Sequence, residues 1–325
     1  MKKLIIQMPC YNEEKTLPVA LADLPREVAG FDVVEWLLID DGCTDNSVQV
    51  AREYGVDHFV RFNKNKGLAK GFMAGIDQCL KLGADVIVNT DADNQYKASD
   101  IPKLVDPILE GSADIVVGSR PIDDIDHFSP IKKMLQKVGS KVVRVVSKTK
   151  VKDVTSGFRA MSRDAAMQIN VFNEYTYTLE TVIQAGQKNL AVVSVPIETN
   201  DYLRPSRLMR SIPSYIRKSV STIIRIFVVY KSFRFFIGLG LAIFSLGVFI
   251  GLQFIFHYLR GNGDGRIQSL ILASVLLGGG FQVILVAFLS DLLSVNRRLL
   301  EDVQYRLKKI EHRADNRGRT ENQQE

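Results

Sequence analysis

The chain has 325 residues and a net charge of +6, a length that suits one α/β domain of about 200 residues with further segments attached. Its three cysteines lack metal-ligand spacing, which argues against a cysteine metal site and predicts reduced thiols in the cytosol. The first apolar run, Leu4–Met8, is too short for a signal peptide and is predicted to be a strand.

Residues 1–200 alternate between strand patterns and helix patterns. The predicted strands are Leu4–Met8, Val34–Ile39, His58–Phe62, Val86–Asn89, Ile115–Gly118 and Ala191–Ile197. The predicted helices between them are Glu14–Leu24, Asn46–Tyr54, Leu68–Leu82 and Ser99–Glu110. This alternation predicts an α/β fold with a mainly parallel sheet that is covered by helices on both faces.

Two apolar segments follow, Phe235–Tyr258 and Ile267–Ser290, each 24 residues long without a formal charge. Each would extend about 36 Å as a helix, enough to cross a hydrocarbon core of about 30 Å. The short Gly-rich link Leu259–Arg266 predicts a transmembrane hairpin; the alternative is a pair of buried helices in a soluble core. Most flanking Lys and Arg lie towards the N-terminal domain, which predicts that this domain and both termini are cytoplasmic.

Two basic segments, Ile131–Lys148 and Ser211–Phe233, combine an apolar stripe with cationic side chains. The stretches 128–152 and 200–234 that contain them carry eight Lys or Arg each. This pattern predicts amphipathic helices in a membrane interface; the alternative is a helix packed on its own domain with a solvated basic face. Because membrane-length segments follow, the predicted partner is a lipid bilayer and not nucleic acid.

These patterns divide the chain into four parts: 1–210, the α/β domain; 211–234, an interface helix; 235–290, the hairpin of 235–258 and 267–290; and 291–325. In the last part Leu300, Val303, Leu307 and Ile310 recur at heptad-like spacing. The polar residues Asp315–Glu325 predict a disordered tail.

Two carboxylates one residue apart, Asp91 and Asp93, directly follow the apolar run Val86–Thr90. At the carboxyl edge of a sheet they would form an oxygen-rich pocket suited to Mg²⁺ or Mn²⁺ carrying a diphosphate. A second acidic strand end, Asp40 and Asp41, lies upstream; its simpler explanation is a cap for the following helix. Together with the apolar segments, this pattern indicates a sugar-nucleotide enzyme at a membrane surface.

Six motifs occur in a fixed order along the chain. They are Pro9–Glu14, Ile39–Asp45, Asn65–Gly67, Asp91–Gln95, Gly118–Arg120 and Thr155–Arg159. In this order they resemble family 2 glycosyltransferases of the GT-A fold, a Rossmann-like domain. With the C-terminal apolar segments, the chain is most similar to the polyprenyl-phosphate branch that includes dolichyl-phosphate mannose synthases. The resemblance covers about residues 4–210 by motif, and the hairpin by architecture only.

The resemblance implies a role for each motif. The implied donor-binding residues are Pro9, Tyr11, Glu13, Ile39, Asp41, Asp91, Ala92, Asp93, Arg204 and Arg207. The implied ligands of Mg²⁺ or Mn²⁺ are Asp91, Asp93 and Gln95. Arg120 is an implied phosphate contact. The implied catalytic residues are Asp91, Asp93, Arg120 and Asp153. The implied acceptor-binding residues are Lys132, Lys133, Ser156 and Arg159. Simpler roles also fit three of them: a turn residue for Gln95, a surface side chain for Arg120, and a loop or cap role for Asp153.

The predicted protein is an integral membrane enzyme, an inverting, metal-dependent glycosyltransferase. A monomer and a homo-oligomer both fit this prediction. The enzyme would move one sugar from a nucleoside-diphosphate sugar to a polyprenyl phosphate, undecaprenyl or dolichyl, at the cytoplasmic membrane face. One alternative is a transferase that extends a lipid-linked or cell-surface polysaccharide. Processive synthases of this kind usually carry a Gln-x-x-Arg-Trp motif, and the only tryptophan here is Trp36, far upstream. Another is a non-catalytic membrane scaffold, which the intact Asp91, Asp93 and Gln95 set argues against.

Overall fold

The computed structural model describes residues 1–121, 141, 143–171, 177–201, 221, 225, 228, 230–261 and 267–321, with side chains described to residue 311 in the last range. The chain forms two compact units. One comprises Met1–Ile216 with Val303–Glu325, and the other comprises Arg217–Asp302.

A seven-stranded sheet forms the centre of the first unit. Its strands are β1 (Lys3–Cys10), β2 (Val33–Asp40), β3 (His58–Arg61), β4 (Val86–Asn89), β5 (Ile115–Ser119), β6 (Arg159–Ser162) and β7 (Val192–Pro196). The order across the sheet is β3-β2-β1-β4-β6-β5-β7. All neighbours are parallel except β6, which runs antiparallel to both β4 and β5. The predicted mainly parallel sheet is therefore confirmed.

Helices connect most of these strands. They are α1 (Leu17–Asp23), α2 (Ser47–Glu53), α3 (Leu68–Lys81), α4 (Ile101–Leu109), α5 (Arg163–Gln168) and α6 (Thr178–Gln187). Helix α1 begins three residues later than predicted, because a turn at Glu13–Thr16 precedes it and Pro18 lies in its first turn. Helix α4 also begins later than predicted, because a 3₁₀ turn, Ala98–Asp100, comes first.

The strand β6 and the helices α5 and α6 are absent from the predicted elements. Strand β6 has only four residues, Arg159 to Ser162, and it carries no run of β-branched or aromatic side chains. It forms because it pairs on both sides, with β4 and with β5. Such pairing depends on tertiary context and leaves a weak local signal.

The second unit contains two long apolar helices, α7 (Ser232–Leu259) and α8, which spans Ile267–Glu321 and extends beyond the unit. Both predicted apolar segments are thus helical, and both helices are long and apolar enough to cross a membrane. Helix α8 continues well past Ser290, and its helical backbone contradicts the predicted disordered tail from Asp315 as far as Glu321. An ion pair at i,i+4 spacing, Arg297 to Glu301, supports this polar continuation.

Glycines bring α7 and α8 close together in an antiparallel pair. A Cβ atom added at Gly280 would lie 2.6 Å from the backbone nitrogen of Phe244. One added at Gly247 would lie 2.9 Å from the backbone nitrogen of Leu277. By contrast, a Cβ at Gly278 would have no neighbour within 4 Å. Small residues at these contact points allow close backbone approach, as in helix pairs within membranes.

Exchanging these glycines for alanine tests that packing. We expect Gly280→Ala to lower the melting temperature of the full-length protein in detergent, because the new methyl group meets backbone atoms that cannot move aside. Overpacking of this kind costs about 1–3 kcal/mol. Gly278→Ala in the same helix is the matched control and should leave the melting temperature equal or slightly higher, since alanine favours helix. Equal effects of the two substitutions would contradict this packing.

Candidate active site

The carboxyl ends of β2, β1 and β4 lie side by side, because these strands are parallel neighbours. The polar motifs that follow them therefore begin at one edge of the sheet, where α/β proteins bind ligands. Pro9 and Ile39 are paired in register just before this edge. Tyr11, directly after β1, is exposed, whereas Glu13 is buried and its carboxylate accepts a 2.8 Å hydrogen bond from the Thr16 hydroxyl.

The two acidic residues at the end of β2 organise backbone loops. Asp41 accepts hydrogen bonds from the backbone N–H groups of Lys66 at 2.7 Å and Gly67 at 3.0 Å. Asp40 accepts from the backbone N–H of Cys43 at 2.7 Å and from Arg61 at 3.0 Å. Neither carboxylate caps α2, so the capping alternative is wrong. Asp41 instead ties the second motif to the third at this edge.

The Asp-Ala-Asp motif leaves β4 as a tight turn. Asp91, Asp93 and Gln95 are partly exposed, whereas Ala92 and Asn94 between them are buried. Asp93 accepts a hydrogen bond from the backbone N–H of Gln95 at 3.3 Å, and Asn94 has a φ of 57°. Because of this alternation, three oxygen-bearing side chains of one short segment are accessible at the same edge of the sheet.

The donor set of this turn fits a hard divalent cation. Two carboxylates and an amide oxygen, from Asp91, Asp93 and Gln95, are ligands that Mg²⁺ and Mn²⁺ accept. Within the described residues no group of three or more His, Cys, Asp or Glu side chains could hold a metal. Oxygen atoms from a bound diphosphate and from water would therefore have to complete the coordination of a cation here.

Arg120 and Asp153 form a buried ion pair beside this turn. The Nε atom of Arg120 donates to Asp153 at 2.7 Å and its Nη2 atom donates at 3.2 Å, in a bidentate arrangement. The Thr155 hydroxyl also donates to Asp153, at 2.8 Å. Burial alone would raise the pKa of Asp153, but the Arg120 charge and these hydrogen bonds outweigh it and hold that pKa below its usual value. Asp153 is therefore ionised at neutral pH.

The two predicted acceptor contacts in the Thr155–Arg159 motif, Ser156 and Arg159, are fully buried. Arg159 donates to the carbonyl oxygen atoms of Ser156 and Thr178 and to the Thr181 hydroxyl. These bonds hold the motif against α6. A direct contact between Arg159 and an acceptor is therefore contradicted, because no part of that side chain reaches the surface.

Other predicted site residues lie outside the described part of the chain. They are the donor residues Arg204 and Arg207 and the acceptor residues Lys132 and Lys133. Of the basic segment Ile131–Lys148, residues 143–147 are helical, with Val143 and Val146 buried and Arg144 exposed. Val145 of the same portion is exposed, so these residues are compatible both with a helix packed on its own domain and with one that faces a membrane.

Three residues of the site escaped the motif search: Asn89, Tyr96 and Tyr177, all of which bond to Gly157 of the Thr155–Arg159 motif. Asn89 donates to the carbonyl oxygen of Gly157 at 2.9 Å and to the Tyr177 hydroxyl at 2.8 Å. The Tyr96 hydroxyl accepts from the backbone N–H of Gly157 at 2.9 Å. The available signal was a polar residue inside an apolar strand, since Asn89 ends the run Val86–Val88.

A family comparison identifies the domain that carries this site. The model for glycosyl transferase family 2 matches residues 5–169, a stretch that contains all six motifs. The chain belongs to this family. It is therefore a glycosyltransferase, and the predicted family is confirmed.

Two similar proteins are named for a lipid phosphate acceptor. The chain is 29% identical over 223 residues to UDP-N-acetylglucosamine–dolichyl-phosphate N-acetylglucosaminyltransferase of Methanococcus voltae, covering 61% of this chain and 86% of that protein. It is 27% identical over 206 residues to undecaprenyl-phosphate mannosyltransferase of Micrococcus luteus, covering 60% and 82%.

A solved structure supports the fold. Glucosyl-3-phosphoglycerate synthase from Mycobacterium tuberculosis, in complex with Mn²⁺, UDP and glucosyl-3-phosphoglycerate, superposes with a TM-score of 0.55 at 17% identity. The match covers 70% of this chain and 79% of that one. This likeness concerns the fold alone, and with the family match it confirms the predicted GT-A domain.

The Arg120–Asp153 ion pair should contribute to the thermal stability of the protein in a pH-dependent way. We expect Asp153→Asn to lower the melting temperature at pH 7, because it removes the carboxylate that pairs with a buried guanidinium, and breaking a buried ion pair costs about 3–5 kcal/mol. A carboxylate with a lowered pKa stabilises the fold above the pKa of the unfolded chain, about 3.9, and stops doing so as the pH falls through its folded pKa. The difference between wild type and variant should therefore be full at pH 7 and shrink below about pH 4.

Thermal unfolding across that pH range checks this expectation. Glu198→Gln is the matched control, since Glu198 forms an exposed ion pair with Lys97 and its loss should change little. A pH-independent difference between Asp153→Asn and wild type would contradict the assigned role of the pair.

Proposed function

We propose that the enzyme transfers one sugar from a nucleoside-diphosphate sugar to a polyprenyl phosphate at the cytoplasmic face of a membrane, with inversion and with a divalent cation. The observation that carries the proposal is the Asp91-Ala92-Asp93 turn at the carboxyl edge of the sheet, in a chain that also has two membrane-length helices. The names of the similar dolichyl-phosphate and undecaprenyl-phosphate transferases support the acceptor class.

Donor binding uses the edge formed by β1, β2 and β4. The exposed ring of Tyr11 offers apolar contact to a nucleoside, and the Glu13 and Asp41 carboxylates lie near the same edge as hydrogen-bond acceptors. Asp91, Asp93 and Gln95 would hold Mg²⁺ or Mn²⁺ there. When bound, that cation would neutralise negative charge that develops on the departing diphosphate.

Acceptor attack needs no strong base. A lipid phosphate is ionised at neutral pH, so its oxygen can attack the anomeric carbon while the bond from that carbon to the diphosphate oxygen breaks. Such an in-line single displacement inverts the anomeric configuration. Asp153 is a poor proton acceptor, because its ion pair with Arg120 holds the pKa of its carboxyl group below the usual value. Asp153 acts in this proposal by fixing the Arg120 guanidinium, a cation beside the site.

A donor and acceptor screen tests this function. Purified full-length protein with undecaprenyl phosphate and Mg²⁺ or Mn²⁺ should transfer label from one of a panel of radiolabelled UDP- and GDP-sugars to lipid. Asp93→Asn keeps an oxygen for the Gln95 N–H but loses the charge, and should reduce the rate roughly 10²–10³-fold. Asp164→Asn, an exposed acid in the first turn of α5, is the control.

Two results would oppose the proposal. Labelling of a glycan acceptor, with none of polyprenyl phosphate, would favour the polysaccharide-extending alternative. Wild-type activity that survives EDTA, together with an active Asp93→Asn, would exclude the metal role.

The membrane arrangement is part of the proposal. Helices α7 and α8 expose large apolar side chains, including Phe249 and Leu252, along the stretches that would contact lipid. Two antiparallel spans return the chain to its starting side, and Val303–Glu325 belongs to the same compact unit as Met1–Ile216. Within that unit Lys308 pairs with Asp77 of α3 at 2.9 Å. The basic flanks of the hairpin support a cytoplasmic location for this side.

Labelling of intact cells with an impermeant thiol reagent tests the orientation. We expect Asn262→Cys, in the link between the helices, to react, because it would lie outside. Gln323→Cys should react only after the cells are permeabilised. The reverse pattern would overturn the cytoplasmic placement of the active site.

A further inference from the structure

A line of buried polar side chains runs beneath the Asp-Ala-Asp turn. Gln7 of β1 and Asn89 of β4 are fully buried on neighbouring central strands, and the Gln7 amide donates to Asn89 at 3.0 Å. Asn89 in turn donates to the Tyr177 hydroxyl at 2.8 Å and to the Gly157 carbonyl oxygen at 2.9 Å. The line therefore starts in the core of the sheet and ends at the backbone of one glycine.

The same glycine is held from its other side. Its N–H donates to the Tyr96 hydroxyl at 2.9 Å. Both tyrosine rings are fixed by stacking, Tyr177 on Phe72 at 3.9 Å between ring centroids and Tyr96 on Phe158 at 5.1 Å. Both hydroxyl groups thus bond to the Gly157 peptide, and stacking restricts the movement of their rings.

Gly157 in turn faces Asp91. A Cβ atom added to Gly157 would lie 3.1 Å and 3.2 Å from the two carboxylate oxygen atoms of Asp91, and 3.0 Å from the Tyr177 hydroxyl. The Asp91 carboxylate therefore lies next to the space that a side chain at position 157 would fill. Only glycine at this position leaves that space open.

Apolar side chains would be the simpler way to fill these strand positions. Buried amides and hydroxyls stabilise a core only when they are hydrogen-bonded, and a bonded line is rigid. Here the bonds converge on the Gly157 peptide, which faces the proposed metal ligand Asp91. Groups that orient a ligating carboxylate typically change metal affinity by about 10–100-fold when removed.

We propose that Asn89, Tyr96 and Tyr177 are positioning residues for the Asp91 carboxylate, acting through the Gly157 peptide to set the affinity for the divalent cation. The inference rests on the proposed function, because it assumes that Asp91 holds a cation. None of the three positioning residues needs to touch the sugar or the acceptor.

Mn²⁺ binding is the direct test. The electron paramagnetic resonance signal of unbound Mn²⁺ gives the affinity of the full-length protein in detergent for this cation. The measurement is made once with UDP present and once with GDP present. We expect Tyr177→Phe and Tyr96→Phe each to weaken Mn²⁺ binding about tenfold, since each deletes one hydroxyl and keeps its stacked ring. Gly157→Ala should weaken it as well, because the new methyl group must displace Asp91 or Tyr177.

Ser162→Ala is the control for lost stability. Its hydroxyl caps α5 by accepting from the Ala165 N–H, so removing it lowers the melting temperature without touching the Gly157 segment. We expect normal Mn²⁺ affinity in this variant. If a tyrosine variant does not fold, the other variants still decide the matter.

The outcomes separate this inference from the function beneath it. Normal Mn²⁺ binding by wild type with unchanged affinity in the tyrosine and glycine variants would overturn the positioning role alone. A weakened affinity in Ser162→Ala equal to that in Tyr177→Phe would also overturn it. Absence of Mn²⁺ binding and of sugar transfer in wild type would overturn the proposed function and this inference with it.

Discussion

The antiparallel pairing of β6 between β4 and β5 is the constraint on which the rest of the site depends. In this register Asn89, the last residue of β4, lies opposite Arg159, the first residue of β6. The segment that enters β6 therefore meets the segment that leaves β4, and Gly157 comes to face Asp91. On the other side β6 pairs with β5, whose end leads into Arg120. A parallel strand at this position would place residues 153–158 at the opposite edge of the sheet.

The same crossing brings charged side chains to both sides of the entry to β6. Carboxylates of Asp91 and Asp93 lie on one side of the β6 entry, and the Arg120 guanidinium, bound to Asp153, lies on the other. Arg159 adds a fully buried cation whose described partners are carbonyl oxygens and a hydroxyl. Groups held in this way are oriented before any ligand arrives, and fixed dipoles and charges of this kind are the largest source of transition-state stabilisation in many enzymes.

The helical hairpin is held together by different physics. Its helices meet at glycines, where backbone approaches backbone, and their outward faces are apolar along most of their length. In the other unit, by contrast, a cluster of apolar side chains fills most of the interior. One chain thus combines a unit suited to water with a pair of helices suited to lipid, which agrees with an enzyme whose two proposed substrates differ in the same way.

The sequence alone determined the elements whose signal is local. Six of the seven strands, the two apolar helices and the Asp91, Asp93 and Gln95 turn follow from apolar runs and from motif order. Tertiary structure decided the rest. Strand β6 forms because it has partners on both sides. The same partners enclose Arg159, which is therefore buried and is not an acceptor contact. The hydrogen bonds around Gly157 join Asn89, Tyr96 and Tyr177, which are up to 88 positions apart in sequence. Hydrogen bonds between such distant side chains depend on how the chain folds back on itself, and no local pattern of residues records that.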